Sequence, residues 1–325
     1  MLHVDPARDE IDDMRVGDLP RLLVPGDVLV VNDAATIPAS LAGTTATGAA
    51  IEARLMARLG AWTFAAVLFG AGDWRARTED RPAPPRLAAG DALRFGDLDG
   101  RIARVWPESP RLVDLALGSE IEELAVAIQR HGRPIQYSYV KGDLAPWHVQ
   151  TLFGARPWAF EPPSAGRPLT WGLLRALRAR GVALATVTHA AGISSTGDAS
   201  LDALLPLPER YDIPRRTVTA VSAAKAAGRK VVAAGTSVVR ALEGCFASHG
   251  RLVTGEGVTD LRLGPGFRPR VVDALFTGMH EPGTSHFELL RAFIDDALLA
   301  RAHARAESGG YLGHEMGDSS LILPS

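Results

Sequence analysis

The spacing of apolar and polar positions changes twice along the chain. Residues 23–33, LVPGDVLVVND, predict a turn followed by a buried strand. From residue 50 to 118, short alternating runs separated by Gly, Asp and Pro indicate the closely spaced strands of a small antiparallel barrel or sandwich. Residues 119–132 then show the apolar spacing of an amphipathic helix that ends at Gly132.

The second half of the chain alternates between helical and strand patterns. Helices are predicted at residues 169–181, 217–229, 236–250 and 285–307, and strands at 182–190, 230–235, 258–266, 270–278 and 318–323. This alternation is typical of an α/β fold with a mainly parallel sheet and flanking helices, here carrying an inserted small antiparallel β-barrel. We therefore predict that residues 1–45 and 121–325 form an α/β domain, with the active site in its second part. Residues 46–120 are predicted to form the β-barrel domain.

Composition limits the classes to which the protein can belong. The 325 residues are 46% hydrophobic, which is enough for the cores of two domains. The net charge is −2 with a pI near 6.5, so no global positive field attracts nucleic acid, although Arg262, Arg268 and Arg270 form a local basic cluster. A single cysteine, Cys245, an acidic start and the lack of about 18 consecutive apolar residues predict a cytoplasmic protein without a membrane span.

One candidate site lies where a predicted strand meets a helix, the position at which α/β sheets place catalytic residues. Strand 230–235 leads through a Gly-Thr-Ser turn into the next helix. Backbone N–H groups and the helix N-terminus can bind a carboxylate or phosphate there, or the two hydroxyl residues can serve only as helix caps. One turn further on, Arg240 and Glu243 have the i,i+3 spacing of an ion pair.

A second candidate site follows the last strand but one. His280, Glu281 and His286 lie in the strand-to-helix loop, where Ser285 and Glu288 have the spacing of a capping box. The histidines can bind a metal, transfer protons or form local hydrogen bonds. No HExxH pattern or neighbouring cysteine supports a metal site, whereas an imidazole beside a carboxylate titrates near neutral pH and suits proton transfer.

A third group, His314 and Glu315 with Asp318, precedes the last predicted strand. It is either part of a site or a solvated loop. The chain contains no GxSxG, P-loop or GxGxxG motif, so the usual signatures of α/β-hydrolases, nucleoside-triphosphate enzymes and dinucleotide-binding proteins are missing.

Taken together, eight stretches resemble the S-adenosylmethionine:tRNA ribosyltransferase-isomerase family of queuosine biosynthesis. They occur in the family's order and cover nearly the whole chain. They are PGDVLVVNDAATIPASLAG (25–43), VQTLFG (149–154), PSAGRPLT (163–170), ERYDIP (209–214), AAGTSVVRALE (233–243), GVTDLRLGPGF (257–267), VDALFTGMHEPGTS (272–285) and YLGHEMGDSSLIL (311–323). The family fold, an α/β domain with an inserted β-barrel, agrees with the pattern described above.

The chain also departs from the family's motifs, which marks it as a divergent member. The family's Arg-Asp-x-Ser-Arg-Leu segment is reduced to Arg8-Asp9. Pro-Thr-Ala-Gly-Leu-His-Phe-Thr reads PSAGRPLT, with Pro168 in the place of the histidine. Thr-Leu-His-x-Gly reads THAAG, so His189 stands one place early, which on a strand turns a side chain to the opposite face. Asn-Phe-His-Leu-Pro reads GMHEP, which keeps His280 and adds the carboxylate of Glu281.

The resemblance implies a reaction in which S-adenosylmethionine donates its ribosyl group. The sulfonium acidifies the C5′ protons, a base removes one, the ring opens, and the aminomethyl group of a 7-deazaguanine in tRNA attacks. Adenine and methionine leave, an epoxycyclopentanediol remains, and neither a metal nor a cofactor is needed beyond S-adenosylmethionine as substrate. The implied catalytic residues are His280, Glu281 and Asp318, and the implied S-adenosylmethionine-binding residues are Glu209, Gly235, Thr236, Ser237, Arg240 and Thr277. Glu209 and Asp318 can alternatively pair with Arg240 or cap helices.

Three hypotheses remain open from the sequence. The protein is a tRNA-modifying transferase, or a related enzyme that uses S-adenosylmethionine with a small-molecule amine acceptor. In the third hypothesis it is a catalytically silent protein that binds S-adenosylmethionine or RNA. A tRNA substrate requires a basic surface for the anticodon stem, and the near-neutral net charge does not indicate one.

Overall fold

A computed structural model describes residues 1–118 and 121–325, apart from the side chains of 121–123 and 314–315. The predicted pair His314–Glu315 therefore lies outside the described side chains.

The strands, in chain order, are β1 Leu2–Asp5, β2 Glu10–Asp13, β3 Val28–Asn32, β4 Ala34–Thr36, β5 Ser40–Thr45, β6 Ala50–Arg58, β7 Thr63–Phe69, β8 Ala92–Phe95, β9 Leu98–Val105, β10 Leu112–Leu117, β11 Gly132–Arg133, β12 Arg156–Ala159, β13 Ala183–His189, β14 Glu209–Ile213, β15 Val231–Ala234, β16 Gly255–Thr259, β17 Ala274–Met279 and β18 His314–Ile322.

The helices flank these strands. They are α1 Leu19–Leu22, α2 Ile121–His131, α3 Trp171–Ala179, α4 Ala199–Asp202, α5 Arg215–Ala226, α6 Thr236–His249, α7 Ser285–Leu290 and α8 Asp296–Ser308. Over the described ranges, none of them combines the length and the hydrophobicity that crossing a bilayer requires.

The largest sheet has nine strands in the order β16-β14-β13-β3-β15-β17-β18-β1-β2. Four neighbouring pairs are parallel and four are antiparallel, so the sheet is mixed rather than mainly parallel as predicted. The parallel part is the central block β13-β3-β15-β17. The prediction did not anticipate that β14 and β18 would lie antiparallel beside β13 and β17.

Helices cover both faces of the sheet. Successive residues of a strand point to opposite faces, and in the central strands both sets are apolar. Val28 and Val30 face the core formed with α5, α6, α7 and α8, whereas Leu29 and Val31 face the core formed with α1 and α3. All four side chains are buried. A strand buried on both faces reads as an unbroken apolar run, which is the pattern of residues 28–31.

The helical pattern at residues 285–307 divides into two helices, α7 and α8, instead of the single long helix predicted. Asp295 is the N-cap residue of α8, because its carboxylate accepts a hydrogen bond from the backbone N–H of Leu298. The predicted capping box of Ser285 and Glu288 is also wrong. Thr284 is the N-cap of α7, and Glu288 pairs with Arg291 at 2.7 Å instead.

The inserted domain is a closed antiparallel barrel of six strands, β5 to β10, with β11 added beside β5. Pairing of β5 with β8 closes it, and Gly43 lies at this junction, where a Cβ atom would come within 2.3 Å of the Arg94 carbonyl oxygen. The first barrel strand begins at Ser40, so the predicted boundary at residues 45 and 46 falls in the turn between β5 and β6. Leu124 and Ile128 of α2 pack into the barrel core.

The barrel contacts the α/β domain through the loop that follows β13. Ile193, Leu201 and Leu205 pack against Met56 and other apolar residues on the outside of the barrel. At Gly192 the approach is close, since a Cβ atom there would lie 2.9 Å from the carbonyl oxygen of Met56. The loop therefore joins the barrel to the edge of the sheet at which β13 ends.

Candidate functional site

The carboxyl ends of the central parallel strands meet at one edge of the sheet, and Asn32 connects three elements there. Its Oδ1 accepts the backbone N–H of His189 at 3.0 Å, and its Nδ2 donates to the His189 carbonyl oxygen at 3.0 Å. Nδ2 also lies 3.2 Å from Oγ of Ser237, at the start of α6. Asn32 is 98% buried, so these hydrogen bonds replace those that its amide would form with water.

The predicted Gly-Thr-Ser turn forms the start of α6. Gly235 is the N-cap residue, with φ of 103°, a conformation that favours glycine, and its N–H donates to the Phe276 carbonyl oxygen. A Cβ atom at Gly235 would lie 3.3 Å from Ala165. Neither Thr236 nor Ser237 supplies the side-chain cap, which was the alternative role considered for them. The turn thus lies next to Ala165.

Glu209 and Arg240 form a buried ion pair next to this turn. Their side chains are only 7% and 8% exposed, and Arg240 Nη1 contacts Glu209 Oε2. Glu209 Oε1 also accepts the N–H of Gly192 at 2.7 Å, and Arg240 Nε donates to the Leu261 carbonyl oxygen at 3.1 Å. The predicted pairing of Arg240 with Glu243 is wrong, because Glu243 instead accepts the backbone N–H groups of residues 270–272.

His189 lies beside this ion pair and has no exposed surface. Its Nε2 is 3.3 Å from Glu209 Oε2, but among the described residues neither ring nitrogen has a hydrogen-bond partner of good geometry. Burial, followed by the positive charge of Arg240, lowers the pKa of His189 well below its usual value. The imidazole is therefore neutral at physiological pH.

We expect this buried histidine to make the protein less stable in mild acid. In the unfolded chain, His189 binds a proton as the pH falls below about 6.5, whereas in the folded protein it does not, so folding loses up to about 1.4 kcal/mol per pH unit. Urea unfolding of His189→Gln between pH 7 and 5 should show a shallower loss than the unmodified protein. His249→Gln, which removes an exposed histidine at the end of α6, is the control. Equal slopes for the protein and the His189 variant would contradict the assignment.

A cavity of about 430 Å³ lies between the sheet and the helices α7 and α8. Its floor is apolar and includes Leu2, Leu290 and Leu299. Its polar lining comes from His280 and Glu281 after β17, and from His303, Glu307 and Tyr311 on α8 and beyond. An apolar pocket with a few polar groups is the usual form of a small-molecule site.

His280 is held in this cavity by two contacts. Its Nε2 lies 2.8 Å from Oγ1 of Thr277, and its ring stacks on that of His286 at a centroid distance of 5.2 Å. Burial, with a further contribution from His286, lowers the pKa of His280 to about 3. At neutral pH the imidazole is uncharged and can accept a proton. Thr277 itself is 2% exposed and its hydroxyl contacts His280, and its role as a ligand contact stays a prediction.

A second cavity, of about 240 Å³, opens beside the first, and Gly278 lines both. It is formed by the 3₁₀ turn Ser164–Gly166 with Arg167 and Pro168, and by Met316 to Ser319 at the start of β18. Asp318 lies here and accepts the backbone N–H of Leu312 at 2.9 Å. The structure thus brings His280, Glu281 and Asp318 to two adjoining cavities.

Glu209, Thr236, Ser237 and Arg240 line neither of the two cavities. Sequence reasoning also missed two residues that the structure places at this edge of the sheet. Asn32 is the last residue of a strand, and the rule that sites form at strand ends could have identified it. Arg167 stands in PSAGRPLT (163–170), where the departure from the family motif drew attention to Pro168 instead.

The described residues contain no group of three or more His, Cys, Asp or Glu side chains arranged to hold a metal ion. Two members of the predicted basic cluster bind carbonyl oxygens: Arg262 donates to Ala203 and Leu204, and Arg268 to Phe267. Arg270 lies over the ring of Phe246.

The fold and the two cavities define an α/β protein with an inserted barrel and an acid–base pocket at the ends of its parallel strands. The family model described as queuosine biosynthesis protein matches residues 1–322. A S-adenosylmethionine:tRNA ribosyltransferase-isomerase from Methylocella silvestris is 35% identical, over 100% of this chain and 91% of its own length. One of the same name from Thermus thermophilus is 34% identical, over 95% and 88%.

The fold is also similar to a solved structure. The crystal structure of a S-adenosylmethionine tRNA ribosyltransferase from Thermotoga maritima superposes with a TM-score of 0.51 at 24% identity, covering 99% of this chain and 91% of that one. The chain belongs to the queuosine biosynthesis protein family.

Proposed function

We propose that this protein is a S-adenosylmethionine:tRNA ribosyltransferase-isomerase in which His280 moves the proton from C5′ of the ribose. The observation that carries the proposal is the placement of His280. It is a neutral imidazole at the end of β17, at the position of the family's histidine, inside a cavity large enough for a nucleoside. The curated relatives that cover nearly the whole chain carry the corresponding name.

The contacts of His280 suit it to accept a proton. We assign the proton of the neutral His280 ring to Nε2, which contacts Thr277 Oγ1. This tautomer leaves the lone pair on Nδ1. The sulfonium of S-adenosylmethionine raises the acidity of the C5′ protons, and Glu281 lies next in the chain to receive or return the proton. Loss of the proton opens the ribose ring, and the aminomethyl nitrogen of the acceptor can then attack.

The residues at the strand ends support this chemistry from behind the cavity wall. Glu209 and Arg240 neutralise each other, and Asn32 fixes Ser237 and the start of α6. We propose that Gly235, Thr236 and Ser237 place the positive end of α6 beside Ala165, which lines the second cavity. In this arrangement Arg240 and Glu209 position the turn and do not contact the ligand.

The acceptor in this proposal is a 7-aminomethyl-7-deazaguanine in tRNA, and tRNA is the acceptor that the relatives' names specify. The test is incubation of the protein with S-adenosylmethionine and tRNA carrying the precursor base. We expect release of adenine and methionine together with a mass gain on the RNA. Release without a gain on the RNA would instead indicate a small-molecule acceptor. Absence of release under all conditions would show that the protein is catalytically silent.

A further inference from the structure

Arg167 lines the second cavity and has no counter-ion among the side chains that the structure describes. Among the described residues no carboxylate lies within ion-pair distance of it, and its guanidinium contacts only the neutral thioether of Met316. Arg167 is exposed to solvent overall, and partial desolvation by its surroundings lowers its pKa. A thioether is a weak acceptor, so a carboxylate that entered the cavity would be a far stronger partner for the guanidinium.

Asp318 supplies the opposite charge to the same cavity. One of its oxygens, Oδ2, accepts the N–H of Leu312 at 2.9 Å, which fixes the carboxylate in place. Arg167 and Asp318, both described, form no ion pair with each other although they line one cavity of about 240 Å³. The cavity thus presents a separated positive and negative group, which is the complement of a zwitterion.

Gly278 connects this charged cavity to the one that contains His280. It lines both cavities and lies two residues before His280 in the chain. A ligand that extended from one cavity to the other would therefore pass Gly278 close to the imidazole. S-Adenosylmethionine has this form, because its sulfonium joins a zwitterionic amino-acid end to a nucleoside through C5′.

We infer that the second cavity binds the α-amino-acid end of the sulfonium nucleoside, with Arg167 on the carboxylate and Asp318 on the ammonium group. The sulfonium then lies at Gly278, and the nucleoside enters the larger, mainly apolar cavity with C5′ beside His280. This inference rests on the proposed function and assigns its binding site. It moves Asp318 from catalysis to binding, and it places the carboxylate at Arg167 rather than at the α6 turn.

The test compares S-adenosylmethionine with its decarboxylated form, which lacks only the carboxylate, in calorimetric titrations. The unmodified protein should bind S-adenosylmethionine about tenfold to a hundredfold more tightly. Arg167→Leu should bind the two ligands almost equally, and Arg167→Lys should restore part of the preference because it keeps the charge. Arg175→Leu, which removes an exposed arginine of α3, should behave like the unmodified protein.

5′-Methylthioadenosine lacks the entire amino-acid end. Its binding therefore distinguishes a specific loss of contacts to that end from a general loss of ligand binding. All four proteins should bind it equally, and Asp318→Asn should weaken S-adenosylmethionine but not this nucleoside. If Arg167→Leu kept the full preference for the carboxylated ligand, the inference would be wrong while the proposed function stood. If the unmodified protein bound no S-adenosylmethionine, with or without tRNA, both would be wrong.

Discussion

Replacing His280 with alanine is expected to lower turnover by about a hundredfold to ten-thousandfold, the usual contribution of a general base. The imidazole is the group in the larger cavity that is neutral, fixed by Thr277 and placed beside the proposed position of C5′. Adenine release in single-turnover reactions with precursor tRNA measures the effect on chemistry. Binding of S-adenosylmethionine should change little, since the ring is proposed to act on the transition state.

Two further variants separate proton transfer from packing in this experiment. His280→Gln keeps a group that can donate a hydrogen bond to Thr277 but cannot act as the base, so it should be nearly as inactive as the alanine variant. His249→Ala removes an exposed histidine at the end of α6, away from both cavities, and should retain the activity. Activity close to normal in His280→Gln would refute the role of His280 as the base.

Replacing Arg240 with methionine is expected to destabilise the protein by about 3–5 kcal/mol, because Glu209 would be left as a buried charge without its partner. Both side chains are more than nine-tenths buried, so water cannot compensate. Guanidinium unfolding followed by circular dichroism measures the loss. The variant should unfold at a clearly lower denaturant concentration.

The double variant Glu209→Leu/Arg240→Met is the matched control for this prediction. Removing both charges replaces the ion pair with apolar contacts, and the double variant should recover much of the stability that the single variant loses. A double variant as unstable as the single one would show that Arg240 stabilises the fold by packing rather than by neutralising Glu209.

The sequence predicted those features of the fold that depend on local spacing. The buried run at residues 28–31, the α3 and α6 helices and the inserted barrel follow from the period of the apolar positions. The family resemblance is confirmed by the family model and by the relatives. The mixed character of the sheet was not predictable, because the direction of a strand relative to its neighbour depends on the path of its connections.

Some residues of the candidate site could be named from the sequence, whereas others become candidates only through contacts between distant parts of the chain. His280 was identified by its position after a strand and by the family's histidine, and Asp318 by its match to an acidic position of the family. The pairing of Arg240 with Glu209 joins residues 31 positions apart, so the sequence could offer it only as one alternative beside Glu243, which helical spacing indicated. Arg167 is visible as a candidate only when the fold places its side chain in a cavity with Asp318.

The close approach of Gly192 to Met56 limits how far the barrel of this protein can be exchanged for a foreign one. The same glycine donates its N–H to Glu209, so the barrel surface and the ion pair that supports the α6 turn share one short loop. A chimaeric protein with a barrel taken from another member would need to import residues 190–205 together with it. Otherwise a foreign strand would press on that loop and displace Glu209 from Arg240.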